Sequence, residues 1–156
     1  MTGGEAAARA RTLFLDESNS FGCAETTFMV LKEAFGLPDP RDSSAAMALN
    51  GGVAYSGGVC GAISGASLAV GLLASRRFKS HAQAKHAARE VIASLMDDFR
   101  AEHGAVDCRA LVGREIRTPE QHRAFIDSGI WRVSCMSQIE FVVRALASLP
   151  AEEAWT

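Results

Sequence analysis

Apolar positions recur at intervals of three and four along most of this chain, and that period predicts a succession of helices. The first is expected over Glu5 to Glu17 (EAAARARTLFLDE), a run of helix formers that SNSFG interrupts. A second runs from Cys23 to Phe35, with Cys23, Thr27, Val30, Leu31 and Ala34 on one face; Gly36 and then LPDP end it. Arg41 to Leu49 (RDSSAAMAL) reads as a short helix with Asp39 or Asp42 near its start. Ser80 caps a long helix over His81 to Glu102, whose inward stripe is Ala84, Ala88, Val91, Leu95 and Phe99; Gly104 stops it. Asp107 caps a short turn, CRALVG, closed by Gly113. Thr118-Pro119-Glu120-Gln121 is a helix start with Thr as cap and Pro in first position, reaching about Ile126. The last helix runs from about Ser134 to Leu149, with Ile139, Val142, Val143, Leu146 and Leu149 inward and Pro150 as its stop.

Between the third and fourth of these lies GGVCGAISGASLAVGLL, residues 57–73. Residues 52–74 carry no charge, so a transmembrane helix has to be weighed. Six glycines and three serines lower the hydropathy, Gly57-Gly58 breaks the run, and Val59 to Ala74 is short for a bilayer. A buried central helix is the better reading. No segment alternates with period two, and only GGVAYSGG and GIWRVSC could hide a strand. Residues 1–156 are therefore read as one all-α domain, a bundle of about five to seven helices around a central Gly-rich helix.

Composition narrows the function. A net charge of −2 argues against nucleic acid as a partner. The start, MTGGEAAARARTLFLDES, lacks a basic region followed by an apolar run, so a cytoplasmic, reducing location is expected. Four cysteines in that setting suggest metal or redox chemistry more than stapling. No C-x-x-C is present, which excludes a zinc ribbon, a thioredoxin-type motif and covalent haem attachment.

The positions of the cysteines say more than their spacing. Cys23, Cys60, Cys108 and Cys135 each follow a breaking or capping residue and fall in the first turn of an expected helix. Unpaired N–H groups and the helix dipole there stabilise a thiolate, so lowered thiol pKa values are expected. Gly57, Gly61 and Gly65 recur every four residues and would form a strip without side chains. Gly58 and Gly61, flanking Cys60, would leave N–H groups free toward a thiolate or a cluster sulfide.

Other candidates are weaker. No G-K-[ST] follows the glycine-rich loop, which discounts a nucleotide site. His81, His86, His103 and His122 form no ligand pair and read as surface residues; Glu25 reads as part of a solvated face. Tyr55 reads as a packed aromatic, and Trp131 either shields a site or packs in the core.

With the four cysteines and Cys60-Gly61-Ala62-Ile63-Ser64-Gly65 in view, the chain resembles the redox-active proteins of the C_GCAxxG_C_C family. The resemblance also takes in GCAETTFMVLKEAFGL around Cys23, DCRALVG around Cys108, and Cys135 at the start of the last helix. It implies a redox role for the cysteines. A similar domain occurs in split-Soret cytochromes, which implies an iron–sulfur centre and a homodimer as expectations; their covalent haem does not carry over.

Three functions stay open. The four cysteines could ligate an iron–sulfur cluster, or less readily zinc, for electron transfer or redox sensing with an unknown redox partner. They could instead serve as catalytic thiols in reversible disulfide pairs. Or the domain is a non-catalytic binding module with structural cysteines.

Overall fold

Three capping boxes set helix starts, at Ser80 and Thr118 as the sequence marks them and at Thr2, which it does not. Thr2 Oγ1 accepts the Glu5 N–H at 3.1 Å, Ser80 Oγ the Gln83 N–H at 3.1 Å, and Thr118 Oγ1 the Gln121 N–H at 3.1 Å. In each case the third residue's side chain reaches back to the N–H of the cap. The computed structural model describes residues 1–156 as seven α-helices and no strand. These are α1 (Gly3–Phe14), α2 (Cys23–Ala34), α3 (Gly61–Arg77), α4 (His81–His103), α5 (Cys108–Val112), α6 (Pro119–Ser128) and α7 (Ser134–Leu146).

The all-α fold around a Gly-rich helix is as the periodicity predicts. Helices α2, α3 and α7 pack on one another; α1 lies across α2 and α7, and α4 across α3 and α7. A single hydrophobic core joins them, with Leu31, Ile63, Val70, Leu73, Phe99 and Ile139 among its fully buried members. No helix is long and apolar enough to cross a membrane.

Several local expectations are corrected. Helix α1 begins at Gly3, because Thr2 caps it, and ends at Phe14. The helix expected over Arg41 to Leu49 is reduced to one 3-10 turn, Ser44–Ala46. Asp39 there sits at φ 52°, and the carbonyls of Asp39 and Asp42 turn to the ammonium of Lys32, which is 4% exposed. The two stretches that could hide strands hold 3-10 turns, Val53–Tyr55 and Ile130–Arg132. The chain's one β-bridge instead joins Val59 to Asp107.

Helix α3 carries two kinds of glycine. A Cβ on Gly65 would collide with the Ala24 carbonyl of α2, whereas one on Gly71 would meet nothing within 4 Å. Gly65 is therefore required by the crossing of α2 and α3, and Gly71 only weakens its own helix. Gly65→Ala should lower the melting temperature by about 3–10 °C, from about 1–3 kcal/mol of overpacking, while Gly71→Ala should raise it by about 1–4 °C. Thermal unfolding followed by circular dichroism reads both.

A candidate redox site at the helix starts

The α2–α3 crossing brings the first two cysteines together. Cys23 is the first residue of α2, and a Cβ on Gly61 would lie 2.5 Å from its Sγ. The sulfur thus rests against the first turn of α3. Cys60 is the N-cap of α3 rather than a first-turn residue. Cys108 is then placed by backbone pairing around the Val59–Asp107 bridge. Cys60 N–H donates to Val106 O at 2.8 Å, Cys108 N–H to Gly58 O at 2.7 Å, and Arg109 N–H to Gly57 O at 3.1 Å. Asp107 is the N-cap of α5 without a side-chain bond of its own. Gly57 lies outside the helical glycine strip: it has φ 83°, and a Cβ there would sit 2.8 Å from Arg109 Cβ. Cys135 occupies the first turn of α7. One turn further on, Gln138, 4% exposed, accepts the Cys60 thiol at 3.6 Å and donates to Ser134 Oγ at 3.1 Å.

All four cysteines are free thiols. Their charges act on one another: Cys60 is raised by Cys23, Cys108 and Cys135, Cys135 by Cys23 and Cys108, and Cys108 by Cys23. The expected lowering of the thiol pKa values is overturned. Burial is the largest effect at every one, pushing Cys108 up to about 12, Cys60 and Cys135 strongly upward and Cys23 upward. Desolvation outweighs the helix starts because the sulfurs are enclosed by packed side chains. At Cys23 the N–H groups of Gly51, Ala24, Cys23 itself and Gly61 oppose it. Cys23 is also the least enclosed of the four. Its charge raises the other three.

A buried polar network holds that N–H cradle in place. Asn50 Oδ1 caps α2 from outside, accepting from Ala24 N at 2.9 Å and Glu25 N at 3.4 Å. Asn50 Nδ2 donates to Glu25 Oε1 at 2.8 Å, which also accepts Gly22 N at 3.2 Å, and Ser43 Oγ donates to Glu25 Oε2 at 2.8 Å. Gly22 must be glycine because a Cβ would collide with the Asn50 side chain. Glu25 is thus 8% exposed, not part of a solvated face. Asn50 and Gln138 went unnoticed in the sequence. An Asn just before a glycine doublet looks like turn chemistry, and nothing local shows that it caps a helix 26 residues away.

Three of the sulfurs, those of Cys23, Cys108 and Cys135, belong to residues lining a cavity of about 480 Å³; Cys60, buried, does not line it. Trp131 lines it too, packs edge-on against Phe14 at 5.4 Å and donates its indole N–H to Ile126 O, so it both shields and packs. Tyr55 forms another wall, its ring tilted at 53° to that of His122 with 4.5 Å between ring centres. His81 and His86 are exposed as expected. His103 is not a surface residue: it packs on Phe99 and Phe141, and burial lowers its pKa.

No three His, Cys, Asp or Glu side chains are arranged to hold a metal ion. A mononuclear tetrathiolate at Zn–S distances of about 2.3 Å would crowd its sulfurs to about 3.8 Å from one another. No three of the four thiols are gathered so as to hold a single metal ion. A multi-iron cluster, in which each thiolate binds a different iron, suits a wider ring of sulfurs, and the donor type and the N–H groups around Cys23 fit it.

Four free cysteines gathered at the starts of four helices, beside one cavity, define an all-α four-cysteine protein. Residues 21–149 match the family described as Putative redox-active protein (C_GCAxxG_C_C), and the chain belongs to that family. No curated protein and no solved structure matches it.

Two consequences are measurable. A thiol whose folded pKa is raised binds a proton that the unfolded chain has released above its ordinary pKa near 9. The thiol form should thus hold constant stability below pH 9 and lose it between pH 9 and 12, by about 1.4 kcal/mol per pH unit per thiol. Urea unfolding across that range tests this. Asn50→Ala removes the cap of α2 and one donor to the buried Glu25 carboxylate, which should cost about 1–3 kcal/mol in the same assay.

Proposed function

We propose that Cys23, Cys60, Cys108 and Cys135 act as one redox centre that ligates an iron–sulfur cluster. Membership of the redox-active family supports the redox role. The observation that carries the finer reading is the gathering of four free thiols, three buried and one half-buried, at the starts of α2, α3, α5 and α7, where the charge of Cys23 reaches the other three. Four thiolates cannot coexist there without a compensating cation, since burial and their own repulsion keep them protonated. Iron supplies that positive charge and, when bound, one-electron chemistry. The chain contributes the four sulfurs, the N–H groups of Gly51, Ala24 and Gly61 at Cys23, and an apolar surround. Gly61 serves by lacking a side chain; Gly58 serves through its carbonyl, which anchors Cys108.

A second reading is thiol–disulfide exchange. It is favoured by the single half-buried thiol, Cys23, which shares its cavity with Cys108 and Cys135. There the Cys23 thiolate would be the attacking sulfur.

Anaerobic purification with iron and acid-labile sulfide analysis decides between them. A coloured protein is expected, whose iron content falls at least about tenfold in each Cys→Ser variant. A colourless protein that cannot be reconstituted overturns the cluster. A reversible disulfide to Cys23, mapped by mass spectrometry in that iron-free protein, then establishes the second reading.

A further inference from the structure

The cavity in front of the cysteines has a composition of its own. It is lined by five of the chain's eleven Phe, Tyr and Trp side chains, together with three of its four cysteines. Its volume, about 480 Å³, is in the range of small-molecule sites, and its walls are mostly apolar. Its charged residues are Asp16, Glu17 and Arg132, two carboxylates against one guanidinium, so the lining has no net positive charge to favour a phosphate-bearing ligand.

The wall formed by Tyr55 carries stored strain. Ala54 and Tyr55 are consecutive non-glycine residues in the left-handed region, at φ 54° and 59°. Such residues cost about 1–3 kcal/mol each and persist only where surrounding bonds enforce them. Here Ala54 N–H donates to Ala48 O at 2.8 Å, Tyr55 N–H to Asn50 O at 3.1 Å, and Gly57 N–H to Gly51 O at 3.0 Å. Gly51 lacks the Cβ that would lie 2.5 Å from the Tyr55 ring. The loop is thereby bent to hold the chain's one tyrosine in the cavity wall, beside the ring of His122, which lines the cavity too.

We propose that this cavity binds a quinone, with its flat ring among Phe14, Phe125 and Trp131 and a carbonyl accepting a hydrogen bond from Tyr55. Aromatic walls suit a planar conjugated ligand, a phenol suits a carbonyl acceptor, and the neighbouring thiols suit a two-electron acceptor. Binding depends only on the cavity. Electron exchange rests on the reading of the four cysteines as one redox centre. In the thiol form of that centre the step balances without further reactants. Two S–H bonds break, one S–S bond forms, and the two electrons and two protons convert quinone to hydroquinone.

Duroquinone is the probe, because its fully methylated ring leaves no position open to thiol addition. Equilibrium dialysis under argon, read by the quinone's own absorbance, should show one saturable site on the full-length protein. Tyr55→Phe should weaken it about fivefold, as expected for one lost hydrogen bond. Ile126→Trp, which places a bulky ring at the half-exposed edge of the cavity, should weaken it at least about tenfold. Both variants should keep the wild-type melting temperature, which separates these losses from unfolding. Absence of saturable binding, or an affinity indifferent to either substitution, overturns the site. Binding in which neither the quinone spectrum nor the free-thiol count of reduced protein changes overturns electron exchange and leaves binding in place. Iron analysis of the same samples reports on the cluster separately.

Discussion

The approach of α2 to α3 at Gly61 and Gly65 is the contact on which the site depends. With any side chain at Gly65, the Ala24 carbonyl would be displaced; with one at Gly61, the Cys23 sulfur would be. That proximity lets the first turn of α3 present an N–H to a sulfur borne by α2. It also sets where the Cys60 backbone pairs with the 106–108 segment, and so where Cys108 sits. One steric constraint therefore positions three of the four sulfurs. The fourth comes from α7, tied back to Cys60 through Gln138.

Two opposing effects then compete at each sulfur. Helix starts favour thiolate, and burial favours thiol; here burial wins at all four positions. A group of thiols held neutral is quiet chemically until something changes the balance. A cationic centre would do so for all four at once. Solvent access favours Cys23, since it is the least enclosed and the one on which several N–H groups converge, against one each at Cys60 and Cys135. The two readings of the site differ in which of these changes the protein exploits.

Much of this was legible in the chain. Ser80 and Thr118 mark helix starts through side-chain bonds to neighbours three residues away, and such short-range chemistry survives in sequence. The four cysteines and the glycines around Cys60 were readable because a small-residue run beside a thiol has few uses. What failed was either long-range or a contest of magnitudes. Glu25 looks solvated until Ser43 and Asn50 arrive from 18 and 25 residues away. The 41–49 helix gives way to one 3-10 turn, where Lys32 takes the Asp42 carbonyl at its start and the Asp39 carbonyl just before it. The sign of the thiol shifts was misjudged because dipole and N–H effects can be inferred locally, whereas the depth of burial cannot.

The glycine-rich segment before Cys60 does two separable jobs. Gly51, Gly52 and Gly57 all have positive φ and make the loop, while Gly61 and Gly65 have ordinary helical backbone and make the crossing. The crossing sets Cys23 against α3, while the loop places Cys108 through the Gly57 and Gly58 carbonyls and lends the Gly51 N–H to Cys23. Ala54 and Tyr55, both in the left-handed region, lie between those parts of the loop. Their conformation puts the Tyr55 ring in the wall of the cavity that Cys23, Cys108 and Cys135 also line. The same turn therefore joins the supports of the sulfurs to the space in front of them.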